Sequence, residues 1–182
     1  MANTSTIMFP LETKAPNFLL KDTNSNSFYN FDELRGSKGT LVIFMCNHCP
    51  YVQHAIVEIV MIANDYRVQG LGVFAISSND IRKYPADRPE KMADFAMENR
   101  FDFPYLYDAD QKVAKKFNAS VTPDFFLFDS SDKLFYHGQL DDSRPGNVIS
   151  ISGSDLRNAI DGLIYNRSFS EIQKPSTGCT IE

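Results

Sequence analysis

A continuous apolar run spans Leu41 to Met45, with β-branched Val42 and Ile43 inside it. A short continuous run of this kind predicts a strand buried on both faces. From Tyr51 to Arg67 the pattern changes to helical spacing, with Val52, Ala55, Ile56, Ile59, Val60 and Ala63 on one side. Gly70 and Gly72 end that helix and open a second apolar strand, Val73 to Ile76. Strand, helix and strand at this spacing predict a parallel pair joined by a right-handed crossover.

Upstream the signals are weaker. Residues 1–15 show no period and are expected to form a loosely held extension. Ala15 to Leu20, the polar turn Asn24 to Ser27, and Phe28 predict a hairpin. Phe31 to Gly36 reads as one helical turn closed by glycine. Downstream, Ser77 to Pro89 is polar and proline-bearing and predicts an irregular loop. Glu90 to Arg100 predicts a helix with Met92, Phe95 and Ala96 inward, and Tyr105 to Tyr107 a short strand. Asp108 or Asp110 should cap a helix running through Phe117. Phe125 to Phe128 and Leu134 to His137 flank a polar turn and predict an antiparallel hairpin. Ser154 to Tyr165 closes the pattern as an amphipathic helix, followed by a polar tail. The expected division is an extension over 1–15, one α/β domain over 16–168 with a mixed central sheet flanked by helices, and a tail over 169–182.

Composition narrows the function classes. The 182 residues are 43% hydrophobic and include fifteen Phe, enough for one core. A net charge of -5 argues against nucleic acid or an anionic membrane surface as the main partner. Met1 to Pro16 lacks a basic segment followed by an apolar one, and no run reaches membrane-spanning length, so a cytoplasmic location is expected. In a reducing compartment a closely spaced cysteine pair points to catalysis or sensing.

Cys46 and Cys49 supply that pair, three residues apart, between the first buried strand and the helix after it. A helix N-terminus offers unpaired N–H groups and partial positive charge, which favour thiolate over thiol. The spacing also suits the short separation a disulfide needs. A structural zinc site would require four ligands, and His48, His54, His137 and Cys179 have no zinc-finger spacing to complete one. If Cys46 is the N-cap, Pro50 falls at the edge of the first turn and loosens it. Cys46 is then the more exposed, attacking thiol and Cys49 the resolving one. His48 either lowers the Cys46 pKa or points into solvent. His54 reads as a surface helix residue and His137 as a structural one. Asp141, Asp142 and Arg144 either line the mouth of the site or form a solvated loop. Asn79 and Asp80 follow a strand end where ligands often bind, although turn formation explains them equally well. Cys179 is a candidate third redox thiol, a dimer link, or inert.

Several of these motifs together resemble the thioredoxin fold. They are Cys46-Asn47-His48-Cys49-Pro50 after a buried strand, Val121-Thr122-Pro123 before a hairpin strand, and the closing helix. Ala15-Pro16-Asn17-Phe18, with Phe31 to Gly36, resembles the redoxin branch that includes AhpC/TSA-type peroxiredoxins and TlpA-like proteins, which implies an N-terminal β-hairpin added to the fold. Within that branch the chain is similar to a group sharing Cys-Asn-His-Cys-Pro-Tyr, Ser78-Asn79-Asp80 with Tyr84-Pro85, the run from Thr122 to Asp129, and a terminal Pro-Ser-x-Gly-Cys. The resemblance implies that Pro123 is a cis-proline facing the cysteines. Thr122 would then present its backbone to an extended substrate; an ordinary trans proline starting an edge strand is the other reading.

The expected function is a thiol–disulfide oxidoreductase acting through a mixed disulfide with a protein or small thiol substrate, with no cofactor or resident metal. Asn47 and His48 set the redox poise. A histidine before the second cysteine is similar to oxidising members such as DsbA, whereas a cytoplasmic setting favours reduction, so both directions stay open, as does the electron donor. A thiol peroxidase acting on peroxide is an alternative, although the proline and Thr or Ser that precede a peroxidatic cysteine are missing here. A Cu(I)-binding, Sco-like metallochaperone using Cys46, Cys49 and His137 is another.

Overall fold

The computed structural model describes residues 4–167 and 172–182. Residues 1–3 of the expected extension, and residues 168–171 at the expected start of the tail, lie outside the described residues. In chain order the elements begin with β1 (Thr4–Ser5), β2 (Leu20–Asp22), β3 (Phe28–Tyr29) and α1 (Phe31–Leu34). The central unit is β4 (Gly39–Phe44), α2 (Pro50–Arg67) and β5 (Leu71–Ser77). There follow α3 (Pro89–Glu98), β6 (Tyr105–Tyr107), α4 (Lys112–Phe117) and β7 (Val121–Thr122). The chain closes with β8 (Asp124–Asp129), β9 (Leu134–Gly138), α5 (Ser154–Tyr165) and β10 (Thr177–Thr180).

The main sheet has seven strands in the order β3-β2-β6-β5-β4-β8-β9. β5 runs parallel to β4 and β6, and the remaining pairs are antiparallel, so the sheet is mixed as expected. Side chains alternate across β4. Leu41, Ile43 and Met45 pack with Val52, Ile59, Leu156 and Ile160 beneath α2 and α5. Val42 and Phe44 enter the opposite layer with Phe18, Phe31, Phe74, Phe117, Phe126 and Phe128. All five residues from Leu41 to Met45 are fully buried, which is why that run carries no polar alternation. Neighbouring rings such as Phe44 and Phe126 meet edge-on, with centroids 5.7 Å apart.

The capping expectations hold in a modified form. Asn30 and Glu33 form a reciprocal capping box at α1. Asp108 accepts from the backbone N–H of Val113 and Ala114, serving α4 from a position before its first residue. The predicted hairpin of β2 and β3 is present, and β2 also pairs with β6, so this hairpin is an edge of the main sheet.

The expected looseness of the N-terminal extension needs correction, and the polar tail proves to contain a strand. The N-terminal segment from Thr4 is not loose: β1 pairs with β10. Thr6 donates to the buried Asp124 carboxylate at 2.9 Å, and the Phe9 N–H donates to His137 Nδ1 at 2.8 Å. The tail is equally ordered where described, because β10 lies between β1 and β7 in a second, three-stranded sheet. Neither segment has an amphipathic period, since each is only a few residues long and is held mainly by backbone pairing.

His137 is fully buried, and its Nε2 meets Asp124 at 3.1 Å. Replacing it by alanine strips partners from Asp124 and from the Phe9 N–H at once. We expect His137→Ala to cost about 3 kcal/mol, on the scale of stranded buried polar groups. Urea unfolding checks this, and an unchanged midpoint would refute a structural role for the ring.

Candidate functional site

The two cysteines lie where β4 hands over to α2. The Met45 N–H still bonds to the Ile76 carbonyl, so the β4 ladder extends to the edge of the site. Cys49 is the N-cap of α2 and Pro50 its first residue. Proline is well suited to that position because its missing N–H has no intrahelical partner to lose. The Gln53 N–H closes the first turn onto the Cys49 carbonyl at 3.0 Å. The first turn is therefore intact, contrary to the loosening expected with Cys46 as the cap. The expected contrast in exposure is also absent, since Cys46 and Cys49 are both fully buried.

Both sulfurs face the loop between β7 and β8, where the Thr122–Pro123 bond is cis. Cys46 Sγ lies 3.4 Å from Thr122 Oγ1, and Cys49 Sγ lies 3.2 Å from the Thr122 carbonyl. A third sulfur joins them. Cys179, on β10, places its Sγ 2.9 Å from that of Cys49. All three thiols are free.

The electrostatics separate the sulfurs. The Cys49 pKa falls to about 5, first because Cys46 donates to its sulfur, then through Cys179, Thr122 and the Val52 backbone N–H, which together outweigh burial. Cys46 is pushed well up by its bond to Cys49, by burial and by the charge of Asp87. Cys179 rises to about 12 through burial and the adjacent Cys49. The lowered pKa favours the thiolate on Cys49, at the helix start, beside two thiols that hold their protons more tightly.

Asp87 is the residue that sequence reasoning missed. It lies in a short turn of the loop after β5 and is fully buried. Its Oδ1 accepts from the backbone N–H groups of Asn47 and His48 at 2.8 and 3.2 Å. Its Oδ2 meets His48 Nδ1 at 2.6 Å and accepts from Asn79 Nδ2 at 3.2 Å. The bond to Asp87 raises the His48 pKa, against the opposing effect of burial. Tyr84 stacks on the His48 ring with centroids 4.1 Å apart, and Tyr84 in turn donates to Glu182. The only advance signal for Asp87 was its place beyond a strand end in the parallel part of the sheet.

The other candidates sort readily. Asn47 is an anchor, with Nδ2 donating to the Ala86 carbonyl and Oδ1 accepting from Tyr105. Asn79 also accepts from the Glu182 N–H, and Asp80 donates its N–H to the Glu182 carbonyl, so both fasten the chain terminus. His54 bonds to Ser143. Asp141 and Arg144 line a small cleft with Pro123, Tyr51 and His54, while the Asp141 carboxylate holds the N–H groups of Ser143, Ser152 and Gly153. His137 has one ring nitrogen on Phe9 and the other on Asp124, so neither is left for copper. Cys46, His48 and Asp87 bring donor atoms within 4.8 Å of one another. Both Asp87 oxygens are already engaged, one of them with the His48 ring, so the group reads as a hydrogen-bonded network.

Residues 11–137 match the AhpC/TSA family. No curated protein matches the chain. Among solved structures, an uncharacterized conserved protein from Geobacillus kaustophilus is 44% identical, with 100% of this chain and 96% of that one covered and a TM-score of 0.97. A hypothetical protein from Sinorhizobium meliloti 1021 is 40% identical, with 98% and 97% covered and a TM-score of 0.94. The peroxidoxin BcpB from Mycobacterium tuberculosis is similar in fold at 21% identity, with 87% and 98% covered and a TM-score of 0.63. The architecture is thioredoxin-like. Among the described residues no helix is long and apolar enough to cross a membrane.

A folded pKa raised above the ordinary histidine value of 6.5 means that the charged ring favours folding. That contribution is complete below the ordinary value and is lost as pH rises through the raised one. In Asp87→Asn, His48 should titrate at lower pH than in the parent protein, as read from its imidazole proton resonances. An unmoved titration would show that Asp87 does not set this charge.

Proposed function

The chain belongs to the AhpC/TSA family, and from that premise we propose that it is a thiol–disulfide oxidoreductase whose working pair is Cys46 and Cys49. The observation that carries the reading is the Cys49 sulfur at the N-cap of α2, with its pKa drawn down to about 5 and Cys46 as its main donor. A thiolate present at neutral pH, beside a second thiol, is what disulfide exchange requires. The Cys49 thiolate attacks a substrate disulfide and releases one substrate sulfur as a thiolate. Cys46 then attacks the Cys49 sulfur, closes the Cys46–Cys49 disulfide and releases the second. This assignment reverses the roles expected from sequence; it rests on the hydrogen bond between Cys46 and Cys49, with Cys49 also the residue that caps α2.

His48, whose pKa Asp87 raises, sits between the two cysteines in sequence, and Thr122 contacts both sulfurs. Substrates are disulfide-bearing proteins or small thiol compounds. A secreted Mycobacterium tuberculosis disulfide oxidoreductase homologous to DsbE, 15% identical with a TM-score of 0.61, has the same fold and lends the reading support by analogy.

The test uses a Cys179→Ser background and an aromatic disulfide as substrate. Adding Cys46→Ser should leave a stable mixed disulfide on Cys49, whereas adding Cys49→Ser should slow the reaction by at least about tenfold, as expected when the acidic thiol is lost. Trapping on Cys46 instead would overturn the role assignment. Failure of the Cys179→Ser protein to form a Cys46–Cys49 disulfide would overturn the function.

The same charge assignment is open to direct titration. Thiolate absorbance in the Cys179→Ser protein should rise in a first step at mildly acidic pH, and Cys49→Ser should abolish that step. Its persistence would place the charge on another sulfur.

A further inference from the structure

Cys179 is separated from Cys49 by 130 positions in sequence, yet the two sulfurs lie 2.9 Å apart. Less than an ångström of approach would bring them to disulfide bonding distance. Three features independent of the sulfur contact hold Cys179 there. β10 pairs antiparallel with β7, matching Cys179 with Thr122 and Thr180 with Val121. Its other edge pairs with β1. Gly178 lies so close to the cis-proline loop that a Cβ would stand 1.9 Å from the Thr122 carbonyl oxygen. Only a residue without a side chain lets the strand seat at this depth.

β10 therefore occupies the backbone edge of Thr122, the place where an extended substrate segment would pair. It carries a thiol to that place as a substrate strand would. We propose that the C-terminal strand is a built-in redox arm, with Cys179 a second resolving thiol for Cys49. The proposal rests on the reading of Cys49 as the nucleophile.

The step balances without a further reagent. With Cys49 joined to one substrate sulfur, the Cys179 thiolate attacks Cys49 Sγ and forms the Cys49–Cys179 bond. The bond from Cys49 to the substrate breaks, its electron pair leaves on the substrate sulfur, and that thiolate takes up the proton Cys179 gave up. Two protein thiols are oxidised and one substrate disulfide is reduced. Timing follows from charge. Burial and a Cys49 thiolate together hold the proton on Cys179, and once Cys49 is bonded to substrate the second part of that hold is removed. The Cys49–Cys179 bond would fasten β10 over the site, whereas a Cys46–Cys49 bond would leave the arm free.

The experiment uses full-length Cys46→Ser protein oxidised with one equivalent of diamide, then digested without reduction and mapped by mass spectrometry. The expected product is a linked pair of peptides containing Cys49 and Cys179, within one chain. Gly178→Val on the same background should reduce that product at least tenfold, on the strength of a backbone overlap that only displacement of the strand relieves. Free thiols at both positions, or links only between chains, would overturn the inference. So would an undiminished yield in Gly178→Val. Each outcome is independent of whether Cys46–Cys49 forms in Cys179→Ser, so the two proposals fail separately.

Discussion

One negative charge, placed among three buried sulfurs at the head of α2, is the interaction around which the site is built. Burial alone would drive a cysteine toward the neutral thiol. Here the cost is offset because Cys49 faces donors on several sides: Cys46, Cys179, Thr122 and the Val52 N–H. The same arrangement makes the neighbours reluctant acids, so Cys46 and Cys179 hold their protons while Cys49 stays charged. In the proposed exchange this order of acidity sets the order of attack. On the proposed roles the most acidic sulfur reacts first, and its reaction removes one of the effects that keep the others protonated, burial being another.

This arrangement requires a rigid platform, and the sheet supplies it. β4 is buried on both faces, and its apolar residues fill two separate layers in alternation. Its parallel partner β5 ends beside it, and the loop that follows brings in Asp87. That carboxylate uses both oxygens on Asn47, His48 and Asn79, fixing the segment between the cysteines from below. A flexible segment there would let the sulfurs separate, and the mutual hydrogen bonding that lowers the Cys49 pKa would go with it. The buried aspartate is thus a positioning group whose influence reaches the sulfurs through backbone N–H groups and the His48 ring.

What could be read from the chain was whatever is local. The run from Leu41 to Met45 and the helical spacing after Tyr51 are short-range patterns, and they placed the cysteine pair between strand and helix. The hairpin of β8 and β9 and the closing helix were legible for the same reason. The register of the helix start was not. Whether Cys46 or Cys49 caps α2 differs by less than one turn, and Pro50 is compatible with either, yet the choice decides which sulfur gains from the helix N-terminus. Contacts made across the fold were also hidden. Asp87 is 39 positions from His48, and Cys179 is 130 from Cys49. β1 and β10 have too few residues for a period to show, so segments that read as loose ends prove to be strands.

The burial of the sulfurs sets a further constraint. Any partner reaching Cys49 must first displace something, because the residue is fully covered. β10 is part of that cover, since its Cys179 lies against Cys49. It is four residues long and shares only two residue pairs with each neighbour. Its far end is tied to the loop that carries Asp87, through Glu182 with Tyr84 and Lys83 and through the Glu182 N–H on Asn79. Tyr84 is also the ring stacked on His48. The C-terminal segment therefore touches the sulfurs through Cys179 and, through Glu182, the ring stacked on the imidazole. One short segment thus joins the two sides of the site, the sulfurs and the His48–Asp87 pair.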